Sequence, residues 1–385
     1  MYHYTMDKDF IIALHGNRDL IGGHYNVLSS FSIGLLRSFE KLGVKAYTAE
    51  ECFIKKIVPN LTISFNVTGY PAWSEYLKNN VVHIMWNVDS IFYQNIEAIE
   101  QFYQNPNFIL FNVSPSDAFA INEFFPSLKH AYFPHAVDLE LWKNQNAEKE
   151  YDIVFLSSIL DYEAQIQNLK QTLDKGSFDL LMAIYDVWLN APHLSFWEIY
   201  QIFRKEAGLN FNKEQYRFAF KNLCYLTTFT QRAKMIESLK DYNVKVFGSG
   251  PWEKYAKGKV QYMGECDLTE SIKIINKSKI SLHCQPFQLS EGLHERILNA
   301  SAAGVFVLST YNKSIESSFG DTVGYFNLNN SAEKIEYYIK NVDEREQKAL
   351  SARDITIKNH TWDERAKQII NLINKLASNR TKTMQ

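Results

Sequence analysis

Four side chains that could do chemistry crowd one short stretch: Glu291, His294, Glu295 and Arg296. They precede Ile297-Leu298-Asn299-Ala300-Ser301-Ala302-Ala303-Gly304 and the apolar run Val305-Phe306-Val307-Leu308. Leu293, Ile297, Ala300 and Ala303 recur at helical spacing, which predicts a helix starting after Gly292 with one face on a sheet. Gly304 suits the left-handed residue that ends it. The polar residues therefore sit at a helix N-terminus, where unpaired N–H groups and partial positive charge offer an anion site. Arg296 adds a planar fork with two parallel donors, which suits a diphosphate. By itself the unit also fits an ordinary strand–helix–strand crossover, with Arg296 in a surface ion pair. The rest of the chain has to decide.

Elements that could position such a site recur along the sequence. Phe10-Ile11-Ile12-Ala13-Leu14 is a continuous apolar run of the kind found in a fully buried strand. A loop with Gly22-Gly23 follows, then a helical pattern over 26–41 and a strand at Val44-Lys45-Ala46-Tyr47. Further strands are predicted at 61–65, 81–85, 108–113 and 131–133, separated by helices near 72–78, 96–103 and 118–125. This alternation predicts a parallel sheet covered on both faces, with ligands beyond the carboxyl ends of its strands. His15, Gly22, Gly23, His24, Asp89 and His135 fall on those turns.

Residues 139–151 turn polar and read as a linker. A second strand series opens at Asp152-Ile153-Val154-Phe155-Leu156, continues at Val244-Lys245-Val246-Phe247 and Val260-Gln261-Tyr262, and ends with the stretch around Arg296. Residues 162–240 are helical in pattern and longer than one crossover needs, so they read as a helical insertion. The expected organisation is 1–140, then 151–360, then a final helix over 361–385 that returns to the first unit.

Composition narrows the class. With 385 residues, 46% hydrophobic and 22% charged, the chain is long enough for two folded domains. A net charge of −2 gives no support for nucleic-acid binding. Cys52, Cys224, Cys266 and Cys284 are far apart and form no CxxC, so no zinc or iron–sulfur site is signalled. Reduced thiols, no basic-then-apolar leader and no membrane-length apolar run point to the cytoplasm, with peripheral membrane association left open. The one Asp-x-Asp, Asp7-Lys8-Asp9, precedes the first strand instead of following one, so no metal site is expected there.

The second half resembles nucleotide-sugar glycosyltransferases of GT-B architecture, especially the CgeB-like (spore maturation protein) group. Tyr151-Asp152-Ile153-Val154-Phe155, Val246-Phe247-Gly248-x-Gly250-x-Trp252, Val260-x-Tyr262-x-Gly264 and the Glu-Arg-Ile-Leu-x-Ala-x-Ala-x-Gly helix carry the resemblance in order. Thr361-Trp362-x-x-Arg365 resembles the family's ending, and Trp86-Asn87-Val88-Asp89-Ser90 and Phe133-Pro134-His135-Ala136-Val137-Asp138 resemble its turns in the first half.

The resemblance implies two Rossmann-like doubly wound domains facing a cleft, and metal-independent sugar transfer from a UDP- or GDP-sugar. It implies a glycan, a lipid-linked glycan or a protein as acceptor. Gly248, Gly250 and Gly264 would let backbone approach the nucleoside; Glu291 would meet the donor sugar, with Leu293, His294, Glu295, Arg296 and Asn299 completing the donor site. Many retaining members carry a second glutamate where this chain has Asn299, so stereochemistry stays open. His24 and Asp89 are candidates for the acceptor base, with His15, Gly22, Gly23 and His135 on the same side. A sugar-nucleotide epimerase of this fold, or an inactive binder of sugar nucleotide or glycan, would use the same donor residues.

Overall fold

The computed structural model describes residues 9–16, 27–93 and 96–383. Gly22, Gly23 and His24 lie outside the described residues. The first sheet contains β1 (Ile11–His15), β2 (Lys45–Thr48), β3 (Leu61–Phe65), β4 (Val82–Trp86), β5 (Phe108–Asn112) and β6 (Lys129–Tyr132). All pairings are parallel, in the order β2-β1-β3-β4-β5-β6. Helices α1 (Val27–Lys41), α2 (Ala49–Lys55), α3 (Tyr70–Lys78), α4 (Ile96–Phe102) and α5 (Asp117–Phe124) connect the strands. The apolar runs become inner strands because helices cover both faces; β3 and β5 are buried along their whole length. The reading above has no helix at α2. A Thr48–Glu51 capping box starts it, a signal visible as Thr-x-x-Glu.

The second sheet contains β7 (Tyr151–Leu156), β8 (Val244–Phe247), β9 (Gln261–Tyr262), β10 (Ser278–His283), β11 (Phe306–Thr310) and β12 (Gly324–Phe326), again all parallel. Its order is β12-β11-β10-β7-β8-β9, so the chain winds outward one way from β7 and the other way from β10. The loops beyond β7 and β10 therefore diverge and leave a crevice, the usual ligand position in doubly wound sheets. Between β7 and β8 run α6 (Tyr162–Thr172), α7 (Lys175–Asn190), α8 (Phe196–Ala207) and α9 (Lys213–Ser238). Helices α10 (Leu268–Asn276), α11 (Glu295–Ala302), α12 (Lys313–Phe319), α13 (Ser331–Lys340), α14 (Val342–Asn359) and α15 (Trp362–Thr383) complete the chain. Helix α11 starts two residues later than the spacing predicts, because His294 caps it.

The four helices α6–α9 do not pack on the second sheet alone. One hydrophobic core joins Leu181, Trp188, Tyr216 and Phe220 to Trp73, Phe92, Ile99 and Phe108 of the first half. The Tyr216 ring meets Phe92 at 4.9 Å and Phe124 at 5.1 Å. Ion pairs Arg204–Glu123 (3.0 Å) and Arg217–Glu97 (2.6 Å), with Lys213–Glu100, rim this contact.

Helix α15 packs against α1. Trp362 sits among Phe31, Phe65 and Trp86 at ring separations of 5.1, 5.8 and 5.5 Å. Gly34 of α1 is its seat: a Cβ there would lie 2.3 Å from Trp362 Cδ1. Trp362→Ala should cost about 3–5 kcal/mol of unfolding free energy, through loss of a buried aromatic side chain. Gly34→Ala should cost about 1–3 kcal/mol in the parent by overpacking. With Trp362 already Ala, the same change should become neutral or stabilising, because alanine outscores glycine in a helix by about 1 kcal/mol. Denaturant titration of the four proteins checks the sign change, and a stabilising Gly34→Ala in the parent would refute the packing.

Candidate functional site

A cavity of about 550 Å³ opens beyond β7, β8 and β10, at the divergence of the second sheet. Ser157 and Ser158 follow β7, Phe247, Gly248 and Ser249 lie at the end of β8, and Glu265, Cys266 and Asp267 lead into α10. Arg296 and Asn299 face it from α11, and Trp142 reaches it from the connecting stretch. Of the donor-side residues named above, Gly248, Arg296 and Asn299 line this cavity.

Arg296 donates to Ser157 Oγ at 3.2 Å. A second guanidinium, missed in the sequence, stands nearby. Arg232, near the end of α9, donates to the Ser158 carbonyl at 2.7 Å and leaves its Nε without a partner. Burial first, and then the charge of Arg296, push Arg232 down to about 9, so it stays cationic at neutral pH. Two like charges held together this way suit a polyanion. The start of α11 is less open than its sequence suggests. His294 Nδ1 accepts from Arg296 N (3.2 Å), and the His294 carbonyl accepts from Ile297 N (3.2 Å).

The remaining polar residues gather where the tips of β4, β5 and β6 meet the loop from β10 to α11. His135 Nε2 donates to the Val88 carbonyl at 3.0 Å, which turns Nδ1 toward Glu295 Oε2 at 3.3 Å. A further proton, on this ring or on Glu295, turns that contact into a hydrogen bond. His294 Nδ1 lies 3.0 Å from the same oxygen, but it cannot accept from Arg296 N and donate to Glu295 at once. Burial raises the Glu295 carboxyl; His294, His135 and Arg296 outweigh it and hold the group well below its ordinary range. Burial pushes His294 down to about 3, so this imidazole is neutral near pH 7. Asp89 is pushed up by burial and accepts from Gln288 Nε2 at 3.3 Å. The structure thus brings Asp89, His135, His294 and Glu295 together across the two halves.

Other expected positions differ. His15 is buried inside the first half against Tyr76 and His83, and burial lowers it to about 4. Glu291 is taken by Lys313 at 2.7 Å, and Lys313 also holds Glu198 at 2.9 Å. Leu293 packs in the apolar core beneath α11. Gly248 and Gly250 have φ of 141° and 104°, and a Cβ at either would lie 2.0 or 1.8 Å from the carbonyls of Ser157 or Ile159. The crossing of two loops is enough to require glycine at both positions. Gly264 (φ 94°) and Gly250 do not line the cavity.

Residues 231–371 match the glycosyl transferase-like family. No curated protein sequence matches the chain significantly. Among solved structures, a sucrose-phosphate synthase from Thermosynechococcus elongatus superposes with a TM-score of 0.59 at 11% identity, covering 96% of this chain and 100% of that one. An alpha-glucosyltransferase in complex with UDP-glucose and DNA containing an abasic site gives 0.54 at 12%, over 94% and 99%. Anabaena HepE in complex with UDP and glucose gives 0.52 at 10%, over 95% and 100%. The chain has the GT-B fold, with a glycosyl transferase-like region in its second half. Both guanidiniums and most of the cavity lining fall within that region; Trp142, Leu156, Ser157 and Ser158 precede it.

At the seam between the GT-B halves, Asp117 is buried beside Ser90 and Glu291, with Oδ2 unpaired. Burial, aided by the Glu291 charge, pushes its carboxyl from 3.8 up to about 7. Between those values the folded state holds a proton that the unfolded chain has lost. The stability this contributes is full at low pH and disappears as pH rises through about 7. Asp117→Asn removes the titration and keeps a donor. Its unfolding free energy relative to the parent's should rise between about pH 5 and pH 8, by an amount on the order of 2–4 kcal/mol at most. A pH-independent difference would show that Asp117 is already ionised in the folded protein.

Proposed function

We propose that this chain is a glycosyltransferase that takes a sugar from a nucleoside-diphosphate sugar, with UDP- and GDP-sugars the leading donors. One observation carries the reading: a roomy cavity at the divergence of a doubly wound sheet is lined by the Arg296 guanidinium, and a second guanidinium, Arg232, holds the carbonyl of the lining residue Ser158. The nucleoside fits between the β8 loop and the start of α10, with Asn299 free to exchange hydrogen bonds with a ribose hydroxyl. The diphosphate fits against Arg296 and Arg232. The UDP and UDP-glucose recorded in the names of two fold neighbours agree with such a donor.

Transfer breaks the bond between the anomeric carbon and the diphosphate oxygen, and charge grows on the leaving group. Fixed guanidiniums meet that charge without reorganising, which lowers the barrier. They also supply the positive charge that a divalent metal would otherwise bring, so we propose metal-independent transfer. The sugar would point toward the seam, where Asp89 and His135 stand on the first half as candidates to take the acceptor proton. A glycan, a lipid-linked glycan and a protein all remain acceptor classes consistent with this arrangement.

Calorimetric titration of UDP and GDP tests the donor site. Arg296→Ala and Arg232→Ala should each weaken the better ligand by about 10–150-fold, the value of one charge-assisted hydrogen bond. Arg296→Lys should recover little, because a point charge lacks the fork. In turnover, part of the loss should fall on kcat, since the contact strengthens as the diphosphate leaves. Unchanged affinity with a lowered melting temperature would make both arginines structural.

A second measurement concerns the metal. Donor affinity and donor hydrolysis should be the same in EDTA as in Mg²⁺ or Mn²⁺. Loss of binding in EDTA that either ion restores would reject metal independence and leave the arginine result standing.

A further inference from the structure

The donor cavity is charged unevenly. Arg296, the cation among its described lining residues, holds Ser157 at the end of β7. Glu265, Asp267 and Glu270 line the cavity beyond β9. In the order β7-β8-β9 that is two strands away, roughly 10 Å across the sheet. Two of the three carboxylates are occupied. Asp267 Oδ1 accepts from Glu270 N at 2.7 Å, and Glu270 Oε2 accepts from Asp267 N at 3.0 Å. This capping box starts α10. Glu265 differs. It is exposed and lines the cavity, and among the described residues it has no hydrogen-bond or ion-pair partner.

The segment that carries Glu265 is held at both ends. Gly264 turns the chain with φ 94°, and its carbonyl accepts from Gly248 N at 3.0 Å. Met263 N donates to Val246 O at 2.9 Å, which ties the same turn to β8. The capping box fixes the other end, at Asp267. A free carboxylate on a fixed turn has much of its geometry set before a ligand arrives.

The chemistry of a carboxylate says which base it can read. It only accepts, through two oxygens side by side. Guanine presents two adjacent donors, N1–H and N2–H, on its Watson–Crick edge, so two parallel bonds form. Uracil presents one donor, N3–H, between two carbonyl oxygens that repel the carboxylate. Adenine and cytosine each set a ring-nitrogen acceptor beside their amino group. Guanine is thus the base that fills both oxygens without a clash. The charge pattern favours the same orientation, since phosphates are repelled by the acidic side and drawn to Arg296.

We propose that Glu265 reads the guanine edge of the donor nucleotide and makes this chain selective for GDP-sugars over UDP-sugars. The inference rests on the donor reading above and narrows its two leading donors to one.

Calorimetric titration of GDP and UDP into the parent, Glu265→Gln and Arg296→Ala tests it. Water competes at an exposed carboxylate, so GDP should bind the parent about tenfold tighter than UDP. Glutamine sets one acceptor beside one donor, a match for uracil N3–H and O4. Glu265→Gln should therefore weaken GDP about tenfold and strengthen UDP, which erases or reverses the preference. Its melting temperature should match the parent's, because the side chain is exposed. Arg296→Ala should weaken both nucleotides alike, since they share the diphosphate. Equal affinity of the parent for GDP and UDP, with both weakened by Arg296→Ala, would overturn the guanine inference and leave the donor site standing. Glu265→Gln weakening both nucleotides alike would also overturn it, because the carboxylate would then hold the shared ribose. Binding of neither nucleotide to the parent would overturn the inference and the donor reading together.

Discussion

The geometry of the seam depends on one buried cation. Arg365 is 2% exposed and pairs with no carboxylate among the described residues; it donates to the carbonyls of Pro134 (2.9 Å), His135 (3.1 Å) and Asn359 (3.2 Å). A buried guanidinium without such acceptors would cost several kcal/mol, so the turn at 133–138 and the start of α15 must keep their relative position. Two backbone hydrogen bonds reinforce this: Val137 N to His360 O at 2.9 Å, and Trp362 N to Val137 O at 3.3 Å. Because His135 sits inside that clamp, its ring can be held between Val88 and Glu295. The end of the chain therefore sets how the first half presents its chemistry to the second.

The seam is polar where most interdomain packing is apolar. Asn87, Asn112, Asp117, His135 and Gln285 each bury an atom without a hydrogen-bond partner. Every such atom costs about 1–3 kcal/mol relative to a satisfied one. An apolar seam of the same size would be more stable. Their concentration at the strand tips matches the position of ligand sites in doubly wound sheets.

Much of the fold was legible because its signals are local. Continuous apolar runs marked nearly every strand, and the small-residue stripe before Gly304 marked α11. The Thr-Trp-x-x-Arg ending was legible as a motif, but its purpose, a guanidinium in a cage of carbonyls, was not. The site was harder to read. Arg232 lies in a helix that looks amphipathic like its neighbours, 74 residues from the Ser158 it contacts. No spacing rule links them. Glu291 was legible as a carboxylate at a loop end, but its capture by Lys313 depends on where α12 begins. The glycines at 248 and 250 were recognisable as special, yet the reason is a neighbouring loop that only the folded sheet brings near. Gly22, Gly23 and His24 fall outside the described residues.

The helices between β7 and β8 gain a meaning that their sequence did not show. Helix α9 has 26 residues, a rod of about 39 Å at the usual rise. Its first turns carry Tyr216 into the aromatic core of the first half, and its last turns carry Arg232 to Ser158, which lines the cavity of the second. A rigid helix transmits position along its axis because each hydrogen-bonded turn resists compression. Arg232 lies sixteen residues beyond Tyr216, about 24 Å along the axis, where Ala233, Met235 and Ile236 anchor the same helix in the core of the second half. Arg296 comes from the second half alone. The α9 rod thus joins the aromatic core of the first half to the loop that lines the cavity of the second, and the proposed phosphate contacts lie at its far end.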